Sequence, residues 1–200
     1  MKVACIDFEG VLVPEIWVSL AERTGIDELR VTTRDIPDYD ELMGHRLKIM
    51  RERGLRYADI QAAAGALDPL PGAPEFLTWL RSHYQVAIIS DTFHQLAAPL
   101  VAKLHYPLIL CHQLLVDAND HITGYTLRQT DPKRHSVQAF QGLKYQVVAT
   151  GDSYNDISML RQADAGFLFQ PSEKVVRDHP DLAVAKDYTE LKAMFAAHLD

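Results

Sequence analysis

Short, uninterrupted apolar runs recur along this chain and alternate with longer amphipathic segments. The runs lack the polar–apolar alternation of half-exposed strands, so they are typical of strands covered on both faces. They are KVACID, QVAIIS, PLILC, YQVVAT and AGFLF, at residues 2–7, 85–90, 107–111, 145–150 and 165–169. Amphipathic periodicity predicts helices near residues 74–83, 92–104, 134–141, 155–162 and 188–198. This alternation predicts an α/β fold, with a Rossmann-like, three-layer core, a parallel sheet in the middle and right-handed crossovers.

Residues 15–72 interrupt this alternation, because they contain helical patterns and no convincing strand. The segments EIWVSLAERTG and YDELMGHRLKIMRERG are helical in character and end at Gly25 and Gly54, and YADIQAAAGAL is a third such segment. DPLPGAP, with three prolines and a glycine, then predicts a stiff connector. We therefore predict a small helical cap at residues 15–72, inserted after the first strand of a core made of residues 1–14 and 73–200.

A second irregularity lies at residues 114–127, LLVDANDHITGYTL. Turn-forming residues stand there between two β-like runs, which is the pattern of a hairpin. We expect a hairpin flap beside the sheet.

Composition excludes several classes of function. The formal net charge of −7 on 200 residues argues against a nucleic-acid or anionic-membrane surface, although a local site can still be positive. No run approaches the ~18 apolar residues of a membrane helix.

The N-terminus has no signal-peptide pattern, so we expect a cytoplasmic protein. Cys5 and Cys111 lie in apolar runs without metal-ligand spacing, and we expect small buried side chains in a reduced protein. The oligomeric state stays open.

Polar residues stand where the predicted strands end. A single acid at such a position is usually a turn or helix-cap residue. Ligands of open parallel sheets, however, bind beyond the carboxyl ends of the strands, where several acids would repel each other without a cation between them. Mg²⁺ suits such oxygen ligands, and an added lysine and hydroxyl can hold a phosphoryl group on it. One carboxylate can then act as nucleophile, and another can transfer a proton. The residues concerned are Asp7, Glu9, Ser90, Asp91, Lys133, Asp152 and Asp156.

The ordered segments DFEGV, SDT, a lysine and GDSYND resemble the haloacid dehalogenase superfamily of phosphotransferases, and the resemblance covers essentially the whole chain. It implies that Asp7 is the nucleophile and that Glu9 is the general acid/base. It implies Mg²⁺ as cofactor, bound by the Asp7 side chain, the Glu9 backbone carbonyl and Asp152. The remaining implied roles are phosphoryl binding by Ser90 and Lys133 and support of the metal site by Asp156. Asn155 lies in the metal motif, where the substrate and Asp7 are its alternative partners, and we also expect Asp91 to contact the substrate.

The helical cap resembles that of the phosphoserine phosphatase branch. The resemblance implies that Glu15 binds the amino group of the substrate and that Arg46 binds its carboxylate. Arg46 has independent support, because the apolar stripe of the predicted helix 38–53 places it on the buried side, where an arginine needs a carboxylate partner. The alternatives are an arginine that extends to the solvent at the rim and an acid that only complements a helix dipole.

Two positions depart from the usual pattern of that branch. Glu9 stands where an aspartate is usual, and Asp91 replaces a common glycine. With DFEGVLVPE and TTRDIPDYD, the chain more closely resembles a bifunctional branch that also transfers phosphate to homoserine, in serine and threonine metabolism. We hypothesise transfer from Asp7 to water or to the homoserine hydroxyl. The other interpretations are a phosphatase of another small phosphomonoester and a non-catalytic sensor of a phosphorylated ligand. His45, His94 and His112 are expected to be packing or surface residues.

Overall fold

A mostly parallel sheet forms the centre of the computed structural model, which describes residues 1–33, 35–36 and 38–199. Arg34 and Pro37 of the TTRDIPDYD segment lie outside the described residues. The strands are β1 (Lys2–Ile6), β2 (Gln85–Phe93), β3 (Leu108–Val116), β4 (Ile122–Thr126), β5 (Gln146–Gly151), β6 (Ala165–Phe169) and β7 (Ala183–Ala185). Their order in the seven-stranded sheet is β4-β3-β2-β1-β5-β6-β7, and all neighbours are parallel except β3 and β4.

Helices cover both faces of the sheet. They are α1 (Ile16–Thr24), α2 (Tyr39–Glu52), α3 (Tyr57–Ala66), α4 (Ala73–Arg81), α5 (His94–Lys103), α6 (Pro132–Gly142), α7 (Ile157–Gln162), α8 (Glu173–Asp178) and α9 (Tyr188–Ala196). Alternate residues of β1 show the layering: Ala4 and Ile6 join an apolar cluster with α1, α3, α4, α5 and α9, whereas Val3 and Cys5 join one with α6, α7 and α8. Both faces of β1 are therefore covered, as its unbroken apolar run predicts, and the predicted three-layer α/β fold is confirmed.

The described part of residues 15–72 is helical, and no strand lies within it. Helix α1 ends before Gly25, whose φ of 67° closes the helix in the left-handed conformation. Trp17, Met43 and Ile60 of these helices belong to the same apolar cluster as Ile6 of the sheet. The helices are thus packed directly on the core.

The predicted hairpin is present, but its first arm is the continuation of β3, which runs unbroken to Val116. Its turn also contacts α3, because the backbone carbonyl of Asp120 accepts from the Tyr57 N–H at 2.9 Å and the Asp120 carboxylate accepts from the Ala58 N–H at 3.0 Å. The hairpin therefore supplies partners for the first N–H groups of α3, which a helix start otherwise leaves unpaired.

Several details differ from the sequence prediction, which also lacks the six-residue helix α8. Strand β2 continues past the expected end at residue 90 to Phe93, with a register irregularity against β3, and α5 begins only at His94. Strand β7 was not predicted, because three residues are too short for a recognisable pattern. Cys111 is half-buried, whereas Cys5 is buried as expected. Among the described residues, no helix has the length and apolar character needed to cross a membrane.

Candidate active site

The carboxyl ends of β1, β2 and β5 lie side by side, because β1 pairs with β2 on one edge and with β5 on the other. Chain connections diverge there, which is where open α/β sheets bind ligands. A pocket of about 60 Å³ lies at this point, between the sheet and helices α1 and α2. Nine of the ten site residues predicted from the sequence line it, namely Asp7, Glu9, Glu15, Arg46, Ser90, Asp91, Lys133, Asp152 and Asn155. The tenth, Asp156, is fully buried beside it.

Asp7 follows β1 directly, and its backbone N–H donates to the Thr150 carbonyl of β5 at 3.0 Å. Its Oδ1 accepts from the Phe8 N–H at 2.7 Å and lies 2.9 Å from Lys133 Nζ. Burial and the nearby carboxylates of Asp156 and Asp152 raise the pKa of Asp7 well above its usual range, against the opposing effect of Lys133. The charged form of Asp7 thus has more negative than positive neighbours, which favours the binding of a cation.

Lys133 lies in the first turn of α6 and is almost fully buried. Its Nζ lies 2.6 Å from Asp156 Oδ1 and 3.8 Å from Asp91 Oδ2, in addition to its contact with Asp7. Burial lowers the pKa of a lysine, but these acids outweigh it and raise the pKa of Lys133 well above the usual value. The ammonium group therefore stays charged and connects Asp91 of β2 with the acids that follow β1 and β5.

Three buried carboxylates, of Asp7, Asp152 and Asp156, have oxygens within 4.8 Å of one another. Both oxygens of Asp156 already have protein partners. Its Oδ2 accepts from the Asp152 and Ser153 N–H groups at 2.9 and 3.1 Å, and its Oδ1 contacts Lys133. Asp156 therefore orients the loop after β5. Asp7 and Asp152 are the carboxylates that suit a hard divalent cation, since such ions take oxygen ligands and offset repulsion between acids. The residues present thus fit Mg²⁺.

Gly10 allows the backbone to approach Asp152. Its φ is +79°, and a Cβ at this position would lie 2.6 Å from Asp152 Cγ. We expect Gly10→Ala to displace the Asp152 carboxylate and to weaken Mg²⁺ binding by about tenfold or more, since displacements near 1 Å are costly at such sites. Thermal shift on Mg²⁺ titration measures this affinity.

Gly25→Ala is the matched control for this prediction. Gly25 has a similar φ of +67°, but a Cβ there would meet nothing within 4 Å. Gly25→Ala should lose about 1 kcal/mol of stability through backbone strain alone. It should bind Mg²⁺ with the affinity of the wild type. Equal Mg²⁺ affinity in both variants would contradict the role of Gly10.

The Glu9 side chain packs against the start of α1. Its Oε2 accepts from the Ile16 N–H at 2.9 Å, so it takes the capping position that Glu15, the residue before the helix, leaves unused. Burial raises the pKa of Glu9, against hydrogen bonds from the Ile16 N–H and Thr92 and the charge of Arg46. The raised pKa favours a proton on this carboxyl, which a general acid requires.

Arg46 is buried on α2, as the helical periodicity predicts. Its guanidinium lies 4.7 Å from the centre of the Trp17 ring, and one Nη donates to the Val31 carbonyl at 2.9 Å. Among the described residues its Nε has no hydrogen-bond partner, although it is buried. Burial lowers the pKa of Arg46, and Glu9, Tyr39 and Glu15 oppose this only in part. An unpaired donor on a buried cation suits an anionic ligand group.

Ser90, Asp91 and Asn155 form the wall of the pocket beside Lys133. Ser90 Oγ accepts from the Thr92 N–H at 3.2 Å, and Asn155 Nδ2 donates to Asp91 Oδ2 at 2.7 Å. Burial opposes ionisation of Asp91, but Lys133, His112 and Asn155 together lower its pKa to about 2. Asp91 is therefore a fixed negative charge within the pocket.

Two residues of this region were missed or misjudged in the sequence. His112 was expected to be a packing or surface residue, yet it is buried with its Nε2 3.4 Å from Asp91 Oδ1. Helical periodicity places Tyr39 in the apolar stripe of the predicted helix 38–53 and predicts no polar role for it, yet its hydroxyl donates to the Asp91 carbonyl at 2.6 Å. The available signal for His112 is the polar pair His112 and Gln113 inside the otherwise apolar run PLILCHQLLV.

The sequence comparison identifies the class of protein to which this fold and site belong. The family model for haloacid dehalogenase-like hydrolases matches residues 15–161. The chain belongs to this family.

Two similar bacterial proteins match over almost the whole chain. The chain is 54% identical to the phosphoserine phosphatase ThrH of Pseudomonas aeruginosa, covering 98% of this chain and 95% of that protein. It is 53% identical to a phosphoserine phosphatase of Pseudomonas syringae pv. tomato, covering 98% and 82% respectively.

Solved structures agree in fold. A phosphoserine phosphatase from T. onnurineus, crystallised with NDSB-201, has a TM-score of 0.74 at 26% identity, over 100% of this chain and 96% of that one. A phosphoserine phosphatase in apo form has a TM-score of 0.79 at 21% identity, over 96% and 98% of the two chains.

Proposed function

We propose that this protein is a cytoplasmic, Mg²⁺-dependent phosphoserine phosphatase that works through a phosphorylated Asp7. One observation carries the proposal: a buried Asp7 carboxylate beside Lys133 and Asp152 shares a pocket with a buried arginine whose Nε is unpaired among the described residues. The first group of residues suits phosphoryl transfer, and the arginine suits a substrate that also carries a carboxylate. The names of the two similar Pseudomonas proteins support this substrate.

In the first step an oxygen of Asp7 attacks phosphorus, and the bond from phosphorus to the serine oxygen breaks. The leaving oxygen takes a proton from Glu9, whose pKa burial raises. Lys133, 2.9 Å from Asp7, offsets the negative charge that develops on the phosphoryl oxygens, and Ser90 donates a hydrogen bond to them. A Mg²⁺ ion held by Asp7, Asp152 and the Glu9 carbonyl would neutralise further charge there.

In the second step water attacks the phosphorus of the acyl phosphate and gives a proton to Glu9. Inorganic phosphate leaves, and the Asp7 carboxylate is restored. The helices of residues 15–72 act in this proposal as a cap that excludes bulk water, and the hairpin contacts at Tyr57 and Ala58 support its closed position.

Arg46 and Glu15 select the amino-acid part of the substrate. Both line the pocket, so a carboxylate can pair with the guanidinium while an ammonium group meets Glu15. Homoserine carries the same two groups and a hydroxyl, and we propose it as a second phosphoryl acceptor in place of water. The name of the similar P. aeruginosa protein supports this second activity.

Incubation with phosphoserine and Mg²⁺, followed by ³¹P NMR with and without homoserine, tests the function. We expect free phosphate in the first sample and an additional phosphomonoester, homoserine phosphate, in the second. Tight binding of phosphoserine without turnover would instead indicate a sensor. Faster turnover of other phosphomonoesters would mean that phosphoserine is not the preferred substrate, and it would not contradict the mechanism through a phosphorylated Asp7.

Glu9→Asp tests whether the longer acid influences the choice of acceptor. The shorter side chain cannot keep its bond to the Ile16 N–H, so we expect a loss of about 1 kcal/mol of stability, as for other helix caps. It also leaves more room for water, so we expect the ratio of homoserine phosphate to free phosphate to fall by roughly threefold. Glu41→Asp, at an exposed position on α2, controls for the chemical change. An unchanged product ratio would reject the link.

A further inference from the structure

His112 is a buried polar residue that the proposed mechanism does not use. It lies on β3, away from the sequence segments that supply the site, and only 4% of its surface is exposed. Its ring lies among those of Tyr39 and Phe93, with centroid distances of 6.1 and 6.4 Å. Packing alone would account for an aromatic ring at this position, so its polar contacts are what require an explanation.

The two ring nitrogens of His112 have different partners. Nδ1 lies 3.1 Å from the backbone N of Arg128, and a backbone N–H can only donate, so Nδ1 must be the acceptor. The ring proton is therefore on Nε2. This nitrogen lies 3.4 Å from Asp91 Oδ1, so its N–H is the ring donor available to that carboxylate. The neutral Nε2–H tautomer satisfies both contacts, whereas the Nδ1–H tautomer satisfies neither.

Asp91 connects His112 to the groups that face the phosphoryl position. Its Oδ2 accepts from Asn155 Nδ2 at 2.7 Å and lies 3.8 Å from Lys133 Nζ. Its backbone carbonyl accepts from the Tyr39 hydroxyl at 2.6 Å. A carboxylate that is bonded at only one oxygen can rotate about its Cβ–Cγ bond. The contact of His112 with Oδ1 opposes this rotation, because Oδ2 is already bonded to Asn155.

We propose that His112 is a positioning residue, which through the Asp91 carboxylate sets the orientation of Asn155 and adds to the contacts that hold Lys133 for phosphoryl transfer. The inference rests on the proposed function of the site. Lys133 meets the phosphoryl group as its charge develops, so a poorly oriented Lys133 slows the chemical step more than it weakens substrate binding.

Two substitutions separate the two contacts of His112. In His112→Asn the side-chain oxygen can replace Nδ1 and keep the Arg128 bond, but no donor reaches Asp91. In His112→Gln the amide nitrogen can replace Nε2 and keep the donor to Asp91. We expect kcat for phosphoserine to be at least about tenfold lower in the asparagine variant than in the glutamine variant, with KM values within about threefold of each other. In an Asp91→Ala background this difference should disappear.

¹⁵N NMR of the histidine ring gives a test that needs no substitution. The wild type is expected to show the neutral Nε2–H tautomer at His112, and the Nδ1–H tautomer would overturn the inference. Equal kcat losses in the asparagine and glutamine variants, with matched thermal unfolding midpoints, would overturn it as well. A difference in kcat between the asparagine and glutamine variants that persists in the Asp91→Ala background would also overturn it. If the wild type releases no phosphate from phosphoserine, the proposed function fails and the inference fails with it.

Discussion

Asp7→Asn is expected to lower kcat for phosphoserine by about 10⁴-fold or more, because an amide is not a nucleophile for phosphorus. Phosphate release measures the loss. Mass spectrometry of rapidly quenched wild-type turnover should show an acyl phosphate on Asp7, and the variant should show none. Asp27→Asn, at an exposed position, makes the same chemical change away from the pocket and should retain full turnover. Full-speed turnover by Asp7→Asn, with no acyl phosphate in the wild type, would refute the mechanism.

The stability of this variant distinguishes a lost nucleophile from a lost fold. Burial and the charges of Asp156 and Asp152 raise the pKa of Asp7 above its value in the unfolded chain. A raised pKa means that folded Asp7 binds a proton more tightly than the unfolded chain does, so its contribution to the stability of the folded state becomes less favourable as the pH rises above the usual range of an aspartate. In metal-free buffer containing EDTA, we therefore expect Asp7→Asn to melt no lower than the wild type at pH 7.5. If Asp7→Asn melts at a higher temperature than the wild type at pH 7.5, this difference in melting temperature should become smaller towards pH 5.

Arg46→Met is expected to lower kcat/KM for phosphoserine by about 100-fold, because a charge-assisted pair with a carboxylate contributes about 3 kcal/mol. Phosphoethanolamine, which lacks the carboxylate, should lose far less. The ratio of the two kcat/KM values is therefore the decisive measurement, since a general defect in the site would lower both. Arg46→Met also loses the bond to the Val31 carbonyl and the contact with the Trp17 ring, so the thermal unfolding midpoint is measured beside the kinetics to show that the variant is folded.

Arg51→Met is the matched control for this substitution. Arg51 lies on the same helix, α2, but is exposed to solvent, so the variant loses the same charge without changing the pocket. It should retain the wild-type preference for phosphoserine over phosphoethanolamine. If Arg46→Met retains that preference too, Arg46 does not bind the substrate carboxylate, and the assignment to an amino-acid phosphate loses its main structural support.

The sequence by itself determined the sheet and the place of the site. Apolar runs such as VACI can only be buried on both faces, so they predict a covered parallel sheet, and parallel strands bring their carboxyl ends to one edge. Asp7, Ser90 and Asp152 could therefore be predicted to meet, although they are far apart in the chain. Arg46 could be placed on a buried face, because helical periodicity is a local property of the sequence.

Tertiary structure alone decided where the side chains point and which partners they meet. Glu9 bonds to the start of α1, and His112 bonds to both Arg128 and Asp91. Likewise, the hairpin residue Asp120 supplies partners for the first N–H groups of α3. These contacts join residues of different secondary-structure elements and loops, and a local pattern carries no information about a partner that only folding brings within 3 Å or so. The elements follow from local periodicity, whereas the hydrogen-bonded network around the pocket follows from how those elements pack.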